Sequence, residues 1–177
     1  GKGRAVGSFE ELRMAYLENG FEYLNEGSGL VGRDKEKEEV FYRIASGNML
    51  IIEGARGSGK TALLEYAIEN FGGMGKVVYI DVGTFGRRVD VARLLKERPK
   101  GMILLIDNVH YLSRDNNKKI KYFYDQDHIK SVVFTTQDLR MVDFTDSIKS
   151  RIGRNVLKLR LPSKKDALGI FRDKFDG

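Results

Sequence analysis

The fold of this chain can be read first from eight residues, Gly54-Ala55-Arg56-Gly57-Ser58-Gly59-Lys60-Thr61, which fit the pattern G-x-x-x-x-G-K-[ST] without a mismatch. Gly54 and Gly59 allow backbone angles that point successive N–H groups at phosphate oxygens. The helix expected from Lys60 adds its positive amino end, which favours an anion further. Lys60 can reach the β- and γ-phosphates, and the Thr61 hydroxyl can ligate Mg²⁺. These residues, together with Ala62, therefore predict a phosphate loop that binds ATP or ADP with Mg²⁺.

The residues on both sides of this loop have the pattern that such a loop requires. The apolar run 49–52 is too short for a helix and suits a buried parallel strand. Strands and helices then alternate along the chain, which predicts a parallel sheet covered on both faces. We therefore predict an α/β fold, a three-layer α/β/α sandwich with a five-stranded parallel sheet. The expected strands are 49–52, 76–81, 102–106, 131–135 and 156–159, and the expected helices are 8–20, 34–46, 60–70, 89–97, 116–127, 144–149 and 163–175.

A second acidic site follows the apolar run 102–106, which ends in Asp107. In proteins with a phosphate loop, a strand next to that loop delivers such a carboxylate towards Mg²⁺, so we predict that Asp107 and Thr61 hold the metal. The next residue is Asn108, where hydrolysing ATPases of several types have a glutamate that polarises the attacking water. An asparagine can orient water by hydrogen bonding but cannot take its proton, so we expect slow turnover.

The composition excludes several kinds of site. The 177 residues include no cysteine and two histidines, so we exclude disulfides, thiolate metal sites and cysteine nucleophiles and do not expect a multi-histidine metal site. No apolar run approaches the roughly 20 residues of a membrane span, and the first residues lack the apolar stretch of a signal peptide. We therefore expect a cytoplasmic protein without a membrane segment. The net charge of +6 is compatible with nucleic-acid contact but also with a solvated basic surface.

Several motifs in order resemble those of the AAA+ superfamily. Residues 54–61 match its Walker A motif and residues 102–108 its Walker B motif. The segment Leu30-Val31-Gly32-Arg33-Asp34 resembles the box that packs against adenine. Residues 131–137 resemble the sensor-1 strand, which implies a γ-phosphate contact for Thr136, with Thr135 second. Residues 147–154 are similar to the box that carries an arginine finger, at Arg151 with Arg154 as the fallback.

This resemblance covers about residues 30–171 and is closest to replication initiator and origin-recognition ATPases or to archaeal-type P-loop ATPases. It implies an N-terminal helix and linker at 1–29, an ATPase core at 30–161 and the first helix of a truncated helical lid at 162–177. An arginine finger stabilises charge on the transferred phosphoryl group and often comes from a neighbouring subunit. The resemblance therefore implies catalytic roles for Lys60, Asp107, Asn108, Thr136 and Arg151, assembly into a homo- or hetero-oligomer through Arg151, and DNA as a partner.

Three functions remain open at this point. The first is an assembling, DNA-associated initiator- or loader-like ATPase, and the second is a regulatory ATPase in which nucleotide mainly sets conformation. The third is a small-molecule kinase, which we disfavour because nothing marks an acceptor site. Aromatic residues interleaved with lysines between 111 and 124 could bind single-stranded nucleic acid, although aromatics at helical spacing are more often core residues under a solvated face.

Overall fold

The computed structural model describes residues 33–160 except 75, 86 and 87. The predicted helices 8–20 and 163–175 lie outside the described residues. The strands are β1 (Met49–Gly54), β2 (Val77–Asp81), β3 (Met102–Asp107), β4 (Ile129–Thr136) and β5 (Val156–Leu159). The α-helices are α1 (Asp34–Ala45), α2 (Lys60–Phe71), α3 (Val82–Phe85), α4 (Val91–Leu95), α5 (Arg114–Asp125) and α6 (Asp146–Ile152). Short 3-10 turns occupy Gly72–Met74, Val109–Tyr111 and Leu139–Met141.

The five strands form one parallel sheet in the order β2-β3-β4-β1-β5. Alternate side chains of each strand point to opposite faces, and both faces are covered, so the central strands are almost continuously apolar. On one face, β1 and β4 pack against α1 and α2 through residues such as Leu50, Leu63 and Val133. On the other face, Ile51 and Phe134 pack among residues of α4, α5 and α6. The predicted three-layer α/β/α sandwich with a five-stranded parallel sheet is confirmed.

The predicted position of the strand that ends in Asp107 is wrong. This strand, β3, is not next to the phosphate-loop strand β1, because β4 pairs with both of them and lies between them. The placement follows from hydrogen bonding across the sheet, which local sequence patterns do not report. As a result, the end of β4 lies between the phosphate loop and Asp107.

Side-chain caps explain why two helices begin at other residues than the apolar pattern predicted. The Ser113 side chain accepts a hydrogen bond from the Asn116 backbone, so α5 begins at Arg114. The Thr145 side chain caps α6 in the same way. Phe144, expected inside that helix, is instead buried outside it, with its ring centroid 4.9 Å from that of Phe134. No helix in the described part of the chain is long and apolar enough to cross a membrane.

Candidate functional site

The phosphate loop has the backbone geometry that anion binding requires. Gly57 and Gly59 have φ values of 83° and 105°, in the left-handed region that favours glycine. A Cβ at Gly54 would collide with Ser58 Oγ, so glycine is required for this close approach. The Ser58 hydroxyl is buried and has no partner among the described residues. Helix α2 begins at Lys60, so its amino end points at the loop.

Lys60 is buried inside the loop, with 8% of its surface exposed. Its ammonium donates hydrogen bonds to the carbonyl oxygens of Gly54 and of Ala55, the latter at 2.9 Å. Burial lowers the pKa of Lys60, and the nearby Asp107 carboxylate opposes this shift. A cation that burial destabilises gains from an arriving anion, which is the property expected of a phosphate-binding lysine.

Asp107 lies at the end of β3 with 5% of its surface exposed. Its Oδ1 accepts a hydrogen bond from the Thr135 hydroxyl, and its Oδ2 accepts one from the Tyr79 hydroxyl at 2.7 Å. Burial raises the pKa of Asp107, while these two hydrogen bonds and the Lys60 ammonium oppose the rise and the Asp81 carboxylate adds to it. The two hydroxyls therefore fix the direction of the carboxylate.

Asn108 has a left-handed backbone conformation, with φ 58° and ψ 51°. Its backbone N–H donates to Thr135 Oγ1 at 3.0 Å, and its side-chain Nδ2 donates to Asp81 Oδ1 at 3.1 Å. Asparagine tolerates this conformation better than most residues. The residue is thus held by β4 through its main chain and by β2 through its side chain.

The two threonines at the end of β4 point to opposite faces of the sheet. Thr135 faces Asp107, whereas Thr136 Oγ1 is hydrogen-bonded to the backbone of Asp138 on the opposite face of the sheet. The structure therefore brings the second-choice sensor residue, Thr135, into the site with Asp107 and Asn108. The γ-phosphate contact expected of Thr136 stays a prediction, and its side chain lies away from this group.

The remaining predicted nucleotide contacts are spread around the loop. Leu30, Val31 and Gly32 lie outside the described residues. Arg33 donates to the Ser58 carbonyl at 3.0 Å and to the Arg160 carbonyl at 2.6 Å. Ala55 and Arg56 are exposed, Thr61 is half-buried, and the Ala62 side chain is fully buried in the core cluster beneath the sheet.

The predicted arginine finger and its fallback differ in their surroundings. The Arg151 guanidinium makes two hydrogen bonds to the Asp125 carboxylate, at 2.9 and 2.7 Å, and a third to the Ser147 carbonyl. Arg154 is exposed, and no ion pair joins its side chain to another residue in the described ranges. In this state, therefore, Arg154 is available to a neighbouring molecule and Arg151 is engaged within its own chain.

The basic and aromatic residues of α5 do not form a continuous nucleic-acid surface. Three of its four basic side chains are paired, Arg114 with Asp143, Lys119 with Asp90 and Asp115, and Lys121 with Asp125, whereas Lys118 is exposed. Phe123 and Tyr124 pack against the core, while Tyr122 is exposed. This arrangement favours the interpretation of core aromatics beneath a solvated face.

Sequence reasoning missed two residues of the site, Tyr79 and Asp81, which belong to β2. The register places Asp81 opposite Asp107 at the same edge of the sheet. A signal was present, because the carboxyl ends of parallel strands meet at one edge and Asp81 ends a predicted strand. The direction of the Tyr79 hydroxyl depends on the strand order, which the sequence did not reveal.

Comparisons with known proteins agree on a fold family. Residues 46–160 match the family model of the AAA domain. Among solved structures, Cdc6p from Pyrobaculum aerophilum superposes with a TM-score of 0.65 at 17% identity, over 81% of this chain and 49% of that one. Domain III of the Thermotoga maritima replication initiation protein DnaA gives 0.58 at 22% identity, over 82% and 69%. Aeropyrum pernix ORC1, solved in complex with DNA, gives 0.64 at 17% identity, over 81% and 49%.

The chain spans about half the length of the Cdc6p and ORC1 chains that it matches. No curated protein matches it by sequence. Since the identities are 17–22%, the superpositions establish the fold of this chain and not its function.

Proposed function

Because the chain belongs to the AAA domain family, we propose that it binds ATP with Mg²⁺, hydrolyses it slowly and assembles on DNA as an initiator- or loader-like motor or switch. The family match and the fold confirm the predicted AAA+ resemblance. The observation that carries the proposal is the phosphate loop with its buried Lys60, together with the buried Asp107, which is hydrogen-bonded to Thr135. We keep the division into 1–29, 30–161 and 162–177, and the adenine contacts of Leu30, Val31 and Gly32, as parts of this proposal.

The loop fits a bound triphosphate. Its backbone N–H groups and the amino end of α2 would face the phosphate oxygens. The buried Ser58 hydroxyl, which has no partner among the described residues and lies against Gly54, supports a polar ligand at this point. Lys60 would exchange its carbonyl partners for the β- and γ-phosphate oxygens, which compensates its charge better than carbonyls do.

Thr61 and Asp107 are the residues that would hold Mg²⁺. Each carboxylate oxygen of Asp107 has a further lone pair beyond the hydrogen bond from Tyr79 or Thr135, so it can still act as a ligand. When bound, Mg²⁺ would neutralise charge on the β- and γ-phosphates. Thr135, at the centre of this group, would keep Asp107 directed at the ion.

Slow hydrolysis follows from Asn108, the residue after Asp107. Its amide can hold the attacking water in place but cannot remove a proton, and a positioned general base is typically worth about 10²–10⁴ in rate. The remaining rate would then depend on an arginine from a neighbouring subunit, and therefore on a protein concentration high enough for the subunits to assemble. We propose Arg151 for that role, with Arg154 as the fallback, and the exposure of Arg154 supports the fallback in the state described here.

A second candidate function is a regulatory ATPase in which bound nucleotide mainly sets conformation. The pairing of Arg151 with Asp125 favours it, because Arg151 contacts its own chain and would have to leave Asp125 before it could act on a neighbour's nucleotide. The absence of a continuous basic surface on α5 among the described residues also favours it over direct DNA binding there.

The test is ATP turnover against protein concentration, with and without DNA, for the wild type, Lys60→Ala, Arg151→Ala and Arg154→Ala. Nucleotide binding is measured in parallel with a fluorescent ATP analogue. A rate that rises faster than linearly, increases with DNA and is lost in Lys60→Ala and in one arginine variant supports the assembling ATPase. Tight binding with negligible turnover under all conditions supports the regulatory function. No binding by the wild type contradicts both.

A further inference from the structure

Asp81 is the last residue of β2, and the register places it opposite Asp107 in β3. Its carboxylate is held by the residues that follow it. Oδ1 accepts a hydrogen bond from the Gly83 backbone at 3.0 Å, and Oδ2 accepts one from the Thr84 hydroxyl at 2.7 Å. Oδ1 also accepts the Asn108 side-chain Nδ2 at 3.1 Å. The carboxylate is therefore fixed from its own segment and reaches across to the neighbouring strand.

This contact determines which end of the Asn108 amide is turned away from Asp81. A carboxylate oxygen accepts hydrogen bonds and has no proton to donate, so the NH₂ group of the amide has to face Asp81. The amide oxygen Oδ1 then lies on the other side, and it receives no hydrogen bond from the described residues. The backbone of Asn108 is held as well, by the hydrogen bond to Thr135.

We propose that Asp81 is a positioning residue, which holds the Asn108 amide so that Oδ1 accepts a hydrogen bond from the water that attacks the terminal phosphoryl group of ATP. This inference rests on the proposed function. In that step the water oxygen forms a bond to the γ-phosphorus, and the bond from that phosphorus to the β–γ bridging oxygen breaks. ADP leaves with the electron pair, and the proton of the water passes to the released phosphate. Asn108 orients the water and accepts no proton.

The alternative is that Asp81 only caps the short helix α3. Its bonds to Gly83 and Thr84 are those of a cap, which stabilises the first turn of a helix. The two roles predict different results, since a cap can be weakened without touching Asn108. Thr84→Val removes the hydroxyl that contacts Asp81 Oδ2 and leaves Oδ1 free to hold the amide.

The experiment measures single-turnover ATP hydrolysis and ATP-analogue affinity for the wild type, Asp81→Ala, Asp81→Asn and Thr84→Val. Asp81→Ala removes the acceptor, and we expect its hydrolysis rate to fall about tenfold while affinity stays within about threefold of the wild type. Asp81→Asn still offers an amide oxygen to Asn108 and to the α3 backbone, so we expect it to recover most of the rate that alanine loses. Thr84→Val tests the cap alone, and we expect it to hydrolyse ATP at close to the wild-type rate.

Three results would overturn the inference. A wild-type rate in Asp81→Ala would show that the amide needs no positioning. An equal loss in Thr84→Val would assign the effect to the cap, and an equal loss in Asp81→Asn would show that the charge matters rather than the orientation. A wild type that binds the analogue but never hydrolyses ATP also overturns it while leaving nucleotide binding intact, whereas a wild type that binds no nucleotide contradicts the proposed function itself.

Discussion

At the scale of the residue, Asn108 and Asp81 form a hydrogen-bonded pair in which the two side chains can be swapped by mutation. Asn108→Asp alone puts a carboxylate oxygen in place of the Nδ2 that lies 3.1 Å from Asp81 Oδ1, so we expect a less stable protein. In the double variant Asp81→Asn/Asn108→Asp, the asparagine at 81 can donate to the carboxylate at 108, whose other oxygen then faces the water. Because a carboxylate can accept a proton, we expect the double variant to hydrolyse ATP about tenfold or more faster than the wild type.

Single-turnover kinetics of the wild type, both single variants and the double variant check this prediction. Thermal unfolding midpoints of the same four proteins report whether the repulsion in the single variant is relieved in the double one. A double variant as slow as the wild type, yet equally stable, would mean that position 108 does not contact the attacking water.

Gly54 is a second position where a single added atom, a Cβ, is expected to change stability and nucleotide binding. A Cβ there would collide with Ser58 Oγ and lie 3.1 Å from the Cβ of Leu159. We expect Gly54→Ala to destabilise the protein by about 1–3 kcal/mol, because the loop and β5 would both have to move. We also expect weaker nucleotide binding, since the loop N–H groups would lose their alignment.

Thermal unfolding and titration with a fluorescent ATP analogue measure the two effects. Gly73→Ala is the matched control, because a Cβ at Gly73 meets no atom within 4 Å. If Gly54→Ala unfolds at the same temperature as the control and binds the analogue equally well, the close approach in the loop does not require glycine.

At the scale of the element, helix α2 carries a titrating group, the carboxyl of Glu65. Burial, with a smaller contribution from Glu69, raises the pKa of Glu65 to about 7. The unfolded chain therefore loses this proton at lower pH than the folded protein does. The stability of the fold should fall as the pH rises from the ordinary glutamate pKa towards 7, and this contribution should be constant above that.

We expect Glu65→Gln to remove this pH dependence and to raise the free energy of unfolding at pH 8 more than at pH 5. Urea unfolding of the variant and the wild type at the two pH values measures it. Glu38→Gln, at an exposed position of α1, is the control. Equal changes at both pH values in Glu65→Gln would contradict the raised pKa.

The elements also show how far the sequence could predict this fold. The apolar runs of β1 and β3 and the glycine pattern between β1 and α2 are local, so they identified the strands, the loop and the sandwich. Helix α6 begins at Asp146 because Thr145 caps it, whereas the apolar pattern alone predicted a start at residue 144. The Tyr79–Asp107 contact joins residues 28 positions apart, and the strand order that brings them together is set by pairing across the sheet.

At the scale of the whole molecule, Arg33 connects parts of the chain that are far apart in sequence. Its guanidinium holds the carbonyl of Ser58 in the phosphate loop and the carbonyl of Arg160 just after β5. We therefore expect a movement of the Ser58 carbonyl to be transmitted through Arg33 to Arg160, which precedes the segment 162–177 that the resemblance assigns to a helical lid.

The Arg151–Asp125 pair bears on assembly, the last property at this scale. It is partly exposed, with 26% and 32% of the two side chains accessible, and such a pair is worth about 1 kcal/mol or less. Releasing Arg151 therefore costs little compared with what a contact to a transferred phosphoryl group contributes.

If Arg151 acts on a neighbour, Asp125→Asn should increase turnover at high protein concentration, with little change at low concentration. ATP turnover measured over a series of protein concentrations checks this prediction. The control is the double variant Asp125→Asn/Arg151→Ala, in which the increase should be lost. If instead Asp125→Asn leaves the rate unchanged and Arg154→Ala abolishes it, Arg154 is the residue that acts between subunits and the Arg151 pair is a structural contact within the chain.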